Sequence, residues 1–190
     1  ALEKVVENNF NKAVIVVDIN NIRRNLYLAI EVLEMKKDTL IIINKIDKFE
    51  GEINVDLFAK DINSEVMLSC AGNRYLINNR IKELNYKNDF KINYDEDIEE
   101  CISDLEKLVK SDLDSRFVAI QYLKGNIEFL SFFDDKTTVI KAKETLEQKI
   151  ISDNKSTSIS GLIFIGRRNF ISNLLKNAIY LNQKVKSFKH

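Results

Sequence analysis

The sequence predicts an α/β region followed by an all-α region, and three observations carry that reading. Short β-branched runs recur through the first 84 residues with helical patterns between them, these runs thin out around Asn85 to Asn93, and beyond Tyr94 the apolar residues repeat mostly at helical spacing. The division expected from this change of texture is 1–84 and 85–190.

The elements follow in order. Val14-Ile15-Val16-Val17, Leu40-Ile41-Ile42-Ile43 and Val66-Met67-Leu68 are continuous apolar runs, as expected of strands buried on both faces of a parallel sheet. Between the first two, Ile22, Leu26, Ala29, Ile30 and Leu33 lie on one helical face, so a helix over Asn21 to Met35 completes a βαβ unit with a right-handed crossover. Val55, Leu57, Phe58 and Ile62 predict a shorter helix, and Ile77, Ile81 and Leu84 another after the third strand. Glu3 to Asn9 reads as the close of a helix that an earlier strand would feed.

In the second region Asp95-Glu96-Asp97 puts acidic side chains at a helix amino terminus, with Ile98, Cys101, Ile102, Leu105, Leu108 and Val109 as the apolar stripe. Ser115 to Leu123 reads as a second helix stopped by Gly125, Thr137 to Ile150 as a third and Arg167 to Lys186 as a fourth, together a small bundle. Asp153 to Ser160, rich in Ser, Thr and Asn, reads as a loop.

Composition narrows the function. With 29 basic and 29 acidic residues the chain has no global positive field, which argues against nonspecific nucleic-acid binding. Cys70 and Cys101 are too few for a disulfide framework and lack zinc-site spacing, which favours a reducing compartment. No apolar run approaches the roughly 20 residues of a membrane span. The only histidine, His190, is the last residue, so histidine-based triads and metal centres are not expected.

The most informative stretch is Asn44-Lys45-Ile46-Asp47, directly after the second strand. A carboxylate here can accept from the ring N–H and exocyclic amine of guanine, a donor pair that adenine lacks. Asn44 can bridge the base to neighbouring loops, and the stem of Lys45 can lie over the ring. A chain so rich in Asn, Lys and Asp produces this tetrapeptide easily by chance, so context must decide. Ligands of open α/β sheets bind beyond the carboxyl ends of the strands, and Asp18, Asn44 and Ser69 all fall just past such ends. Ser69-Cys70-Ala71-Gly72 could present backbone N–H groups to a base carbonyl.

Other candidates have plainer readings. Asp18-Ile19-Asn20-Asn21 could be an acidic metal site, but Asn21 is placed to cap the following helix and Asp18 lies near its positive end. Gly161 to Arg168 has two glycines at phosphate-loop spacing but apolar residues between them and no Lys-Ser/Thr pair, so it reads as a decoy. No phosphate loop occurs elsewhere, and hydrolysis cannot be assigned to this chain alone. Arg23-Arg24 and Arg167-Arg168 lack an aromatic platform and read as solvated helix faces. Phe129, Leu130, Phe132 and Phe133 read as subdomain core, Cys101 as an inert thiol and Cys70 as a more exposed one.

The run from Val16 to Leu28, with its Arg24-Asn25-Leu26-Tyr27-Leu28 string, then Leu33-Glu34 and Asn44-Lys45-Ile46-Asp47, closely resembles the cytosolic guanine-nucleotide domain of the ferrous iron transport protein B family. Tyr94-Asp95-Glu96, Ser115 to Asn126 and Arg167-Arg168-Asn169-Phe170-Ile171 resemble that family's helical subdomain, which is associated with slowing GDP release. The resemblance implies the C-terminal half of a P-loop GTPase-like parallel sheet followed by an all-α subdomain. It implies GTP/GDP as ligand, with Asn44 and Asp47 on guanine, Lys45 flanking it and Ser69, Cys70, Ala71 and Gly72 as a second base loop. The parent would hydrolyse GTP with Mg2+ to regulate ferrous iron uptake, at the cytoplasmic face of the membrane, with a membrane transport domain as partner and oligomerisation through the parent protein.

Two departures qualify this. The family's phosphate loop and switch motifs would precede Ala1 and its membrane-spanning region would follow His190, so the chain reads as a piece of the whole, as a fragment or as a split gene product. Lys45 stands where the family usually has Met or another residue, which is nearer to the general GTPase pattern. The alternative reading is a noncatalytic adaptor that kept the scaffold without the phosphate machinery.

Overall fold

The computed structural model describes residues 10–70, 74–84, 88–153 and 157–181. The expected helix over Glu3 to Asn9 lies outside them, as do Ala71 and Gly72. The chain divides into two compact units, one of residues 1–29, 37–90 and 171–190, the other of residues 30–36 and 91–170.

The first unit is built on three parallel strands in the order β1-β2-β4, namely β1 (Lys12–Asp18), β2 (Asp38–Asn44) and β4 (Glu65–Leu68). Register pairs Val14 with Leu40 and runs in step to Asp18 opposite Asn44, while Ile43 pairs with Leu68. All three expected strands are present. The connections are α1 (Ile22–Glu34), then α2 (Val55–Ile62), and α3 (Arg74–Glu83) follows β4. Asn54 caps α2 by accepting from the Leu57 N–H at 3.0 Å. Leu40 and Ile42 pack with Leu84, Met67, Ile77 and Ile81, each fully buried Leu or Ile contributing about 1.5–3 kcal/mol. On the same face of the sheet, Val14 and Val16 of β1 stay exposed.

The first unit also holds a short antiparallel ribbon that the sequence does not predict. β3 (Gly51–Ile53) pairs with β5 (Ile179–Leu181), and the Asn54 N–H donates to the Ala178 carbonyl at 2.8 Å. Three-residue strands carry too little alternation to be read from sequence. Gly51 has a local reason: a Cβ there would meet the Tyr180 carbonyl oxygen at 2.5 Å.

The second unit is helical, with α4 (Glu96–Glu106), α5 (Ser115–Leu123) and α6 (Lys136–Ser152), the last two close to their expected limits; α4 stops short of Leu108 and Val109, expected on its stripe, and Val109 instead bridges to Phe133. Asp95, Asp114 and Asp135 cap them, each accepting from a first-turn N–H. Gly125, at φ 103, supplies the left-handed residue after α5. Phe129 and Phe133 are buried and meet Phe117 and Tyr122 edge to face, at 5.8 and 5.6 Å between centroids, so the Phe knot is core.

The last helix corrects the sequence reading. α7 runs Ile159–Ala178, not Arg167 to Lys186, and it takes in the end of the expected loop. Ile159, Ile163, Arg167, Ile171, Leu174 and Ala178 make one buried stripe through both glycines. Ser158 starts it, its Oγ accepting from the Gly161 N–H at 3.1 Å. Gly161 to Arg168 is therefore helix, with Ile163 buried but Phe164 and Ile165 exposed. At Gly166 a Cβ would sit 2.7 Å from the Tyr94 ring, so glycine permits that packing.

Arg167 is the second correction: it is buried at 4% exposure, not solvated. Within the second unit its guanidinium reaches Glu31 at 2.8 Å and Glu34 at 2.5 Å, and its Nε–H donates to the Tyr94 hydroxyl at 3.3 Å. Tyr94 donates in turn to Glu34 at 2.5 Å, and Lys124 pairs with Glu31. A buried cation this well satisfied is one for which the sequence alone names no partner.

Candidate functional site at the strand tips

The site lies where β1, β2 and β4 end. The parallel register brings Asp18 opposite Asn44, and the Ser69 N–H extends the β4 ladder by donating to the Ile43 carbonyl at 2.8 Å. The Ile46 N–H reaches back to the Ser69 carbonyl at 3.4 Å. The Asn44 and Ser69 loops, read separately in the sequence, are thus joined by backbone.

Lys45 turns the chain out of β2 in the left-handed region, at φ 64 and ψ 31, and a 3-10 turn over Ile46–Lys48 follows. The sharp exit puts Asp47 in the first turn of that 3-10 segment, exposed, and its carboxylate has no hydrogen bond or ion pair among the described residues. Asn44 is half-buried just before the turn. Ser69 is buried, its hydroxyl donating to the Cys70 carbonyl at 3.4 Å, and Cys70 is half-buried.

Asp18, expected at a strand tip, has a partner there that the sequence does not name. Its carboxylate accepts from the Asn20 N–H at 3.0 Å, from the Asn21 amide at 3.4 Å and from the Lys45 ammonium at 2.8 Å. Asp18, rather than Asn21, is the capping side chain here, and the turn it caps is the 3-10 segment before α1. The Lys45 ammonium, with the Asn20 N–H, holds its carboxyl below the usual aspartate range. Only the register of two strands distant in sequence brings Asp18 to Lys45, so no local motif signals it.

Fit to ligands can be judged from these groups. Asn44 and Asp47 offer an amide and, among the described residues, an unpaired carboxylate just beyond one strand. Among the described residues no group of three or more His, Cys, Asp or Glu could hold a metal ion, so no residue here is assigned to Mg2+. Cys101 is half-buried, with its thiol pushed up to about 11 by burial and neighbouring carboxylates, as expected of an inert cysteine. No helix among the described residues is long and apolar enough to cross a membrane.

A parallel sheet with flanking helices, Asn-Lys-x-Asp at a strand tip and a helical region define a P-loop GTPase-like fold of which this chain holds the C-terminal half. Comparison with known proteins agrees. The family model for ferrous iron transport protein B matches residues 1–84, and that for the FeoB cytosolic helical domain matches residues 94–180. The chain belongs to the ferrous iron transport protein B family.

Among curated relatives, the Fe(2+) transporter FeoB of Staphylococcus aureus strain COL is 25% identical over 189 residues, covering 92% of this chain and 28% of that protein. The chain thus spans little more than a quarter of the length of the curated relatives it matches. Among solved structures, the apo cytosolic domain of the T. maritima FeoB iron transporter superposes with a TM-score of 0.75 at 21% identity, covering 94% of this chain and 71% of that one. A GDP-bound mutant of the S. thermophilus FeoB G-domain gives 0.78 at 20% identity, covering 94% and 73%. These likenesses bear on the fold.

Proposed function

We propose that this chain is the guanine-recognition part, residues 1–84, and the helical regulatory subdomain, residues 85–190, of a GTP-dependent ferrous iron transporter. The observation that carries the reading is the Asp47 carboxylate, exposed beyond β2 and uncommitted while its neighbour Lys45 is engaged. Asn44, Lys45 and Asp47 contact the base, and Ser69, Cys70, Ala71 and Gly72 form the second base loop. The GDP and GMPPNP forms among the related solved structures support guanine nucleotide as the ligand.

In the parent protein GTP binding and Mg2+-assisted hydrolysis regulate Fe2+ uptake at the cytoplasmic face of the membrane, with the transport domain as partner on the same or another polypeptide. Exposed Val14 and Val16 leave an apolar strip on one face of β1, as fits a face that further segments of the parent cover.

The test is a nucleoside titration followed by amide NMR shifts. The chain is expected to bind guanosine more tightly than adenosine, with shifts centred on Asn44 to Lys48. Asp47→Asn reverses the ring contact, because the amide presents a donor where guanine also donates and xanthine accepts, so preference moves to xanthosine by tenfold or more, about 1.4 kcal/mol. Equal binding of guanosine and adenosine overturns the reading.

A further inference from the structure

We infer that Asp18 is a positioning residue for base recognition: it holds the Lys45 ammonium across the strand tips so that the lysine stem is set in place as a wall of the purine slot. The inference rests on the guanine reading above and adds a residue to it.

Asp18 is itself oriented before Lys45 reaches it. Its backbone N–H donates to Asn25 Oδ1 at 2.9 Å, and its carboxylate takes the Asn20 N–H and the Asn21 amide. The remaining acceptor capacity of Oδ2 faces Lys45 Nζ at 2.8 Å. Parallel register fixes the distance between the two tips, because Asp18 and Asn44 are paired residues and Lys45 follows Asn44.

A lysine stem has four rotatable bonds and loses most of that freedom when it covers a base. Here the far end is already tied and the near end is fixed by the left-handed backbone at Lys45, so less freedom is left to lose on binding. The two side chains remain 24% and 50% exposed, which keeps the effect modest and sensitive to salt. The base-reading carboxylate of Asp47 stays out of the pair. Asp18 therefore tunes how tightly a purine is held, and Asp47 which purine.

Two isosteric changes separate this from a structural role. Asp18→Asn keeps an oxygen for the Asn20 N–H and removes the charge, while Lys45→Met keeps the stem and removes the ammonium. In guanosine titrations of the full chain, D18N and K45M each weaken binding about twofold to fivefold. The double variant is no weaker than the weaker single, since both remove one interaction. D18N leaves the ratio of guanosine to adenosine affinity unchanged, and raising salt to about 1 M weakens the unaltered chain but not D18N.

Wild-type affinity in D18N, or an equal loss from D18N with and without K45M, overturns the positioning role and leaves the guanine reading intact. A parent chain that does not distinguish guanosine from adenosine removes both.

Discussion

Each unit of this chain contains a carboxylate–cation cluster, and the two clusters differ in how much water they keep. At the strand tips Asp18 and Lys45 meet with 24% and 50% of their side chains exposed. In the helical unit Arg167 and Glu34 are each 5% exposed and share Tyr94 between them. The first pair can be broken and remade by solvent or ligand at small cost. The second cannot, because each member left alone would be a buried charge. The contrast matches the roles assigned: an adjustable rim for a ligand, and a fixed joint holding the Glu31 to Glu34 segment with α7 in the second unit.

The largest effect is expected where that joint is opened from one side. Arg167→Met strands Glu34 beside Tyr94 without its cation and should lower stability by about 3–5 kcal/mol, read as a shift of the urea midpoint at constant slope. Replacing Arg167, Glu34 and Tyr94 together by Met, Leu and Phe removes the desolvation cost along with the attraction, and should recover most of that loss. If R167M is as stable as the parent, the buried network contributes nothing and the comparison fails.

An acid titration gives the next effect. Burial alone would raise the Glu31 pKa, but Lys124 and Arg167 outweigh it and hold the group below the ordinary 4.5. Glu99 follows the same order: burial raises it, and a bidentate Arg116 pair at 2.6 and 2.9 Å with the Tyr94 N–H overcomes that. A carboxyl whose folded pKa lies below its unfolded value contributes stability that is complete above the unfolded value and lost as pH falls through the folded one. The urea midpoint should therefore hold steady down to about pH 5 and fall progressively below it, and Glu99→Gln should flatten that fall. A midpoint independent of pH over this range would mean that neither glutamate is preferentially charged in the folded chain.

The same contrast explains what could be read from the sequence. The strands at Val14, Leu40 and Val66 announce themselves as short continuous apolar runs and the helix at Glu96 through the stripe Ile98, Ile102 and Leu105, and local order is what a sequence displays. The place of Asn44 to Asp47 at a strand tip was legible because the four residues directly follow an apolar run. Arg167 was misread because its partners Glu31 and Glu34 lie more than 130 residues away, and a paired arginine looks no different from its solvated neighbour Arg168. The misplaced start of α7 has a related cause: two glycines and a Ser-rich approach suggest a loop, while the buried stripe that overrides them depends on packing in each unit. Asp18 was legible as a cap and illegible as a partner of Lys45.

The smallest effect on stability is expected at the strand tips, and it sharpens the comparison most. Asp18 has a lowered pKa, with the Lys45 hydrogen bond as its first cause, so the pair is complete above the ordinary aspartate value of 3.8 and lost as pH falls through the depressed one. Because water already solvates both partners, Asp18→Asn should leave the thermal midpoint nearly unchanged at neutral pH, far less affected than by any single change at Arg167. Its effect should appear in the guanosine titration instead. A D18N melt displaced as far as that of R167M would show that the strand-tip pair holds the sheet together, and the distinction between a rim built for a ligand and a joint built for the fold would be lost.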